Sequence, residues 1–192
     1  MMTQTSDREL ILSMIQKIQP FDGLEQHHIK DTVNWIKSGK PIFRTKKPDI
    51  PPKHLVSYFV VFDENEEKIL LVDHKKSQLW LPPGGHVEQD EHPQETVRRE
   101  CFEELKIEAK FWQETPLFLT STLTVGLTAG HTDVSFWYVL KGNHRDHYEF
   151  DEQEFNSIQW FKFTDIPFDH SDPHMKRFIT KLKRKLTGEI AL

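Results

Sequence analysis

The sequence predicts an α/β fold in which helices sandwich a mixed sheet. Three observations predict it. Residues 1–39 carry apolar positions at helical spacing, and residues after 54 switch to short apolar runs divided by polar turns. One charged helical segment then sits among those strand-like runs, and a second helical segment follows late in the chain, which is the pattern of a layered α/β domain.

Each element has a local reason. Ser6 with Glu9 resembles a capping box, after which Ile11, Met14, Ile15 and Ile18 share one face until Pro20. Asp22 with Glu25 is a second capping signature; Ile29, Val33 and Ile36 form its stripe, and Gly39 and Pro41 close it. Two such helices make a hairpin (1–39) whose apolar stripes need a partner, either the rest of the fold or a second copy in a homodimer. Residues 40–53, rich in proline and lysine, read as a stiff, ordered linker. Residues 54–62 and 68–73, split by the polar DENEE, read as paired strands, and 77–81 continue into a glycine turn. Val87 reads as part of a short strand after that turn. Gln94 through Lys106 reads as a helix entered just after Pro93. Residues 107–113, 117–125, 133–140 and 160–163 read as strands, 142–154 as a loop, and Ser171-Asp172-Pro173 opens a last helix carrying Met175, Phe178, Ile179 and Leu182.

Composition narrows the function. The 192 residues are 36% hydrophobic and 29% charged, with fourteen Phe and five Trp, enough for one well-packed domain. The five Trp read as core or pocket wall. A net charge of -5 gives no electrostatic reason to expect a long nucleic acid as partner, although a bound metal lets an acidic chain act on phosphates. A single cysteine, Cys101, excludes a disulfide framework and points to a reducing, cytoplasmic setting; it falls on an apolar helix stripe and reads as a small buried hydrophobe. No run approaches a membrane span, and no apolar leader opens the chain.

The chemistry concentrates between Gly84 and Ile107. Glu100, Glu103 and Glu104 stand three and four residues apart and share a helix face, while Val97, Cys101 and Leu105 form a separate stripe about 100° away. The helix can therefore anchor in a core and show its carboxylates to a cleft. Three crowded carboxylates repel one another, and a divalent cation relieves that. Hard oxygen donors suit Mg²⁺ or Mn²⁺. The competing reading is a solvated acidic face paired with Arg98 and Arg99.

The spacing as a whole resembles the box of the Nudix (MutT-like) hydrolases: Gly85, Glu91, Arg99-Glu100, Cys101, Glu103-Glu104 and Ile107 fall at the family's positions, preceded by LWLPPGG. Cys101 is a mild departure at the family's aliphatic position; Lys106 is a clearer one from its usual glycine, so it must turn left-handed or let the helix close differently. The resemblance implies a Nudix-type α/β/α sandwich over 54–192. It implies a pyrophosphohydrolase that cleaves a nucleoside diphosphate linked to another moiety X, or a nucleoside triphosphate, by water attack on phosphorus with Mg²⁺ (or Mn²⁺). Carried over by position, Glu100, Glu103 and Glu104 bind metal, with the Gly84 carbonyl as a further ligand. Arg99 holds the glutamates, and Gly85 and Glu91 support the loop. A downstream acid completes the site: Glu154 is chosen, with Glu152 and Asp151 as rivals and Glu149 behind them.

His86 and His131 are candidates for substrate contact, but the histidine spacing matches no zinc pattern. Arg44, Lys46 and Lys47 form a small basic patch that reads as solvated linker. Two other functions compete with the hydrolase: a noncatalytic nucleotide-sensing or interaction module, which turnover would exclude, and processing of RNA 5′ ends, which a weak salt dependence of binding would exclude.

Overall fold

A computed structural model describes residues 7–47, 49–124 and 130–189. Its elements run α1 (Asp7–Ile15), α2 (Gly23–Lys37), β1 (Lys53–Asp63), β2 (Lys68–His74), β3 (Leu79–Leu81), β4 (Gly84–His86), α3 (Pro93–Leu105), β5 (Phe118–Leu123), β6 (Thr132–Lys141), β7 (Phe155–Lys162) and α4 (Met175–Leu186), with a 3-10 turn at Phe168–His170. The seven strands form one mixed sheet. Its centre is the parallel pair β1–β6, in register from Lys53↔Thr132 to Phe62↔Lys141. The other pairings are antiparallel: β5 on β6, β2 and β4 on β1, β3 and β7 on β2.

The two faces of β1 show why the fold has three layers. Leu55, Phe59 and Val61 pack in one cluster with Val97, Cys101 and Leu105 of α3 and with Ile11, Met14, Ile15, Trp35 and Ile36 of the N-terminal helices. Val60 and Phe62 point the other way, into a cluster with Met175, Phe178, Ile179 and Leu182 of α4. Strand alternation thus assigns one helical layer to each face.

The N-terminal hairpin is built into this body. Asp22 caps α2 by accepting the Glu25 N–H at 2.8 Å, and its other oxygen accepts from Arg177 Nε of α4 at 2.8 Å. Glu25 is fully buried and accepts two bonds from Lys181 Nζ, at 2.7 and 2.9 Å; Lys181 also donates to the Gln19 carbonyl. The N–H groups of Phe21 and of Leu119 on β5 complete the set, at 2.6 and 3.2 Å. A buried pair with every hydrogen-bonding site in use tolerates burial, whereas one broken partner strands a charge.

The structure corrects several local expectations. Residues 107–113 form no strand; only Phe111 bridges to Leu140. The last strand is longer than 160–163, starting at Phe155, and the final helix begins at Met175, beyond Pro173. Val87 lies just past β4. Ser6 and residue 125 lie outside the described residues. Lys106 takes the left-handed option, at φ 55°, and closes α3 with its N–H on the Phe102 carbonyl at 3.2 Å and the Ile107 N–H on the Cys101 carbonyl at 3.4 Å.

Candidate active site

β1 carries two antiparallel partners besides β6. It pairs with β2 at Val61–Asp63 and with β4 at Val56–Tyr58. The segment from β3 to β4 forms part of the wall of a cleft of about 980 Å³. β4 must run close against β1, which explains its glycines. A Cβ on Gly84 (φ 150°) would overlap the Ser57 carbonyl, and one on Gly85 would overlap the Glu100 carboxylate. The same close approach brings the Gly84 N–H to Glu104 Oε2 at 2.9 Å. Ser57 Oγ donates to the Pro93 carbonyl at 2.9 Å and so ties the start of α3 to the sheet.

On α3, Glu100 and Glu104 line the cleft. Glu104 is nearly buried, and its pKa stands well above the usual carboxylate range because burial penalises its charge; Glu100 and Glu154 push it further up. Burial also raises Glu100, with Arg99 opposing and Glu103 and Glu154 adding to the rise. Arg99 donates to Glu100 Oε1 at 2.5 Å, to both oxygens of Glu91 at 2.9 and 3.0 Å, and to the His86 carbonyl at 3.2 Å. Glu91 also accepts from Thr96 Oγ1 at 2.7 Å and the Glu88 N–H at 3.1 Å. Burial works against the ionised Glu91, but these bonds outweigh it and lower its pKa. Glu91 is therefore a brace whose oxygens are occupied.

Glu103 is the outlying member, its side chain 58% exposed and 3.6 Å from Arg99. Of the downstream acids, Glu154 lines the cleft; Asp151, Glu152 and Glu149 do not. Asp151 instead donates its N–H to the Glu104 carbonyl at 3.0 Å.

Two groups on the cleft wall stand apart from the sequence-based expectation. Arg44 and Lys47, expected as solvated linker, line the cleft together with Lys76. Lys46 bridges Ile50 in the linker; Arg44 is half-buried at the cleft wall, while Lys47 stays exposed at its edge. The second group is a histidine cluster. His86 and His131 line the cleft and meet His54, expected only as a strand residue: the His54 ring stacks on His131 at 5.0 Å and stands 4.7 Å from His86. Burial, with help from Arg44, lowers the His86 pKa to about 3. Pairing of β1 with β4 and β6 creates the cluster, so no linear spacing reveals it.

Glu100 and Glu104 thus stand together on the side of α3 that lines the cleft, and Arg44, Lys47 and Lys76 line the same cleft. The NUDIX domain family matches residues 52–182, and the chain belongs to that family. It is a Nudix hydrolase, with the family's generic pyrophosphohydrolase activity on a nucleotide-derived substrate. Among solved structures the fold is similar to a MutT NUDIX hydrolase from Burkholderia pseudomallei (TM-score 0.56, 20% identity, 67% of this chain and 96% of that one). It is also similar to a C. elegans Ap4A hydrolase (0.53, 17%, 69% and 98%) and to the E. coli dihydroneopterin triphosphate pyrophosphohydrolase (0.53, 13%, 73% and 97%). No curated protein matches. Among the described residues no helix is long and apolar enough to cross a membrane.

Proposed function

We propose that the chain hydrolyses the pyrophosphate of a nucleoside diphosphate linked to a second moiety, or of a nucleoside triphosphate, by water attack on phosphorus. The observation that carries this reading is that a single cleft is lined both by carboxylates, Glu100, Glu104 and Glu154, and by cations, Arg44, Lys47 and Lys76. The carboxylates fit a hard divalent cation. Burial leaves Glu104 with its charge uncompensated, and its donors are all oxygen. Glu100 and Glu104 would hold Mg²⁺ or Mn²⁺, with Glu103 at the outer edge and Gly84 beside them. When bound, the ion would polarise phosphate oxygens and offset charge that grows in the transition state.

The chain's own groups do the rest. Lys47 and Lys76 would meet the phosphates as point charges, and Arg44 through the planar fork of its guanidinium. Arg99, clamped by Glu91, holds Glu100 in place. Glu154, at the rim, is the carboxylate assigned to take the proton of the attacking water. The likeness to an Ap4A hydrolase and to a dihydroneopterin triphosphate pyrophosphohydrolase supports a nucleotide-like substrate joined through phosphate anhydrides.

The test is turnover of a panel of nucleoside diphosphate derivatives and triphosphates with Mg²⁺ and then Mn²⁺, products read by mass. One preferred substrate, cleaved by wild type and not by Glu104→Gln, supports the reading. No turnover by folded protein with either metal sinks it.

A further inference from the structure

The cleft holds a second group of ligating side chains, chemically unlike the glutamates. Asp49, His54, His86 and His131 each offer one ligand atom, and these atoms all lie within 4.8 Å of one another. His54 is fully buried, and its tautomer is set by its surroundings. Nδ1 lies 2.9 Å from the Pro51 carbonyl, which only accepts, so Nδ1 carries the proton. Nε2 of a neutral ring is then a bare lone pair. It has no hydrogen-bond partner, and Asp133 Oδ1, 3.2 Å away, is an acceptor that forms no hydrogen bond either. His86 Nε2 is likewise buried without a partner. His131 lies between two carboxylates, with Nδ1 3.3 Å from Asp49 and Nε2 3.2 Å from Asp133; Nδ1 also meets the Thr124 hydroxyl at 3.2 Å. Lone pairs that converge at the cleft wall are well suited to a cation among them. A histidine that gives its other N–H to a backbone carbonyl has the arrangement found at metal ligands.

We propose that Asp49, His54, His86 and His131 form a transition-metal site of the zinc type, separate from the glutamates. Three imidazoles and a carboxylate suit Zn²⁺ and not Mg²⁺, which seeks oxygen. The carboxylates of Asp49 and Asp133 offset the ion's charge and the nearby Arg44. Tetrahedral zinc needs ligand atoms roughly 3.3 Å apart, so the group closes inward by about an ångström on binding. The linker supplies that movement through Asp49. The ion would pin the turn bearing Arg44 and Lys47 against β1, β4 and β6, which makes it a support for the phosphate-facing wall. This site does not depend on which nucleotide the enzyme cleaves.

The test uses the full chain, tag removed, stripped with chelator and returned to millimolar Mg²⁺. Zn²⁺ is titrated by calorimetry and counted by elemental analysis after desalting, and Co²⁺ serves as a spectroscopic probe. Wild type should keep one Zn²⁺ per chain, gain thermal stability from it, and show the intense visible bands of tetrahedral Co²⁺. Glu104→Gln should behave the same. His86→Gln and His131→Gln should bind at least about tenfold more weakly, and Asp49→Asn, a milder change on the linker, should weaken binding without threatening the fold, as circular dichroism would verify. Three results overturn the proposal: no Zn²⁺ retained by wild type, equal affinity in wild type and all the histidine and Asp49 variants, or Zn²⁺ lost from Glu104→Gln but kept by His86→Gln.

Discussion

The cleft has two halves built in different ways. Most of the glutamate half comes from one continuous stretch, Gly84 to Glu104, whose geometry follows from a turn and a helix, with Glu154 joining it from just before β7. The histidine half comes from four places in the chain, joined because β1 lies between β4 and β6. His54 and Asp133 are direct register partners on the parallel pair, although the linear sequence holds them far apart. Local spacing reveals the first half, and only topology reveals the second.

The largest expected effect separates the halves most sharply. Glu104→Gln keeps an oxygen to accept the Gly84 N–H but removes the charge. Turnover should fall on the order of a thousandfold. Stability should rise in metal-free buffer. Glu104 has a folded pKa above its unfolded one, so its ionised form at neutral pH works against folding, and a neutral isostere removes that cost. A calorimetric melt that drops would show that the glutamate half is held together by the charge and not strained by it.

Next in size is a titration beside the histidine half. Burial raises Asp172 to about 6, with its N–H bond from His174 opposing and Asp133 adding to the rise. The folded chain therefore prefers the protonated acid. The contribution is fully present below the unfolded value near 3.8 and is lost as pH rises through about 6. It amounts to about 3 kcal/mol. Asp172→Asn should flatten that part of the stability profile in denaturant melts run from pH 4 to 7. A profile unchanged by the substitution would mean that water reaches this side.

The sequence made the local half plain and much of the sheet with it. Glu100 and Glu104 line the cleft, Arg99 bonds to Glu91 and Glu100, and α3 starts at Pro93, one residue before the start expected at Gln94. What escaped depends on contacts between distant segments. Arg44 and Lys47 read as solvated because a linker's composition says nothing about where its turn folds back. Residues 107–113 carry β-like apolar residues, but these pack beside the core and pair only at Phe111. His54 is one residue of an apolar run until β4 and β6 flank it.

Arg99→Lys tests the brace of the local half. Lysine keeps the charge but cannot reach Glu91, Glu100 and the His86 carbonyl at once. Activity should fall about 10–100-fold, and the Mg²⁺ concentration for half-maximal rate should rise, because Arg99 acts by positioning carboxylates. A lowered rate with an unchanged Mg²⁺ requirement would instead give Arg99 a direct part in the reaction.

The smallest effect concerns Lys106, the clearer of the two departures from the Nudix box. Lys106 occupies a left-handed conformation at φ 55°, where a side chain costs about 1 kcal/mol and glycine almost nothing. Part of that cost is offset locally, since Lys106 Nζ donates to the Glu103 carbonyl at 3.0 Å, one of the open carbonyls at the end of α3, and lies over the Phe102 ring. Glycine would relieve the backbone but lose both contacts and gain freedom in the unfolded chain. Lys106→Gly should thus raise stability by less than about 1 kcal/mol, with kcat unchanged because Glu104 is held from the other side by Gly84. Lys106→Ala keeps the strain and loses the contacts, so it should be the less stable of the two. If alanine instead matches glycine in denaturant melts, the helix end relaxes without the left-handed turn, and the glutamate half owes less to its local backbone than the comparison of the two halves requires.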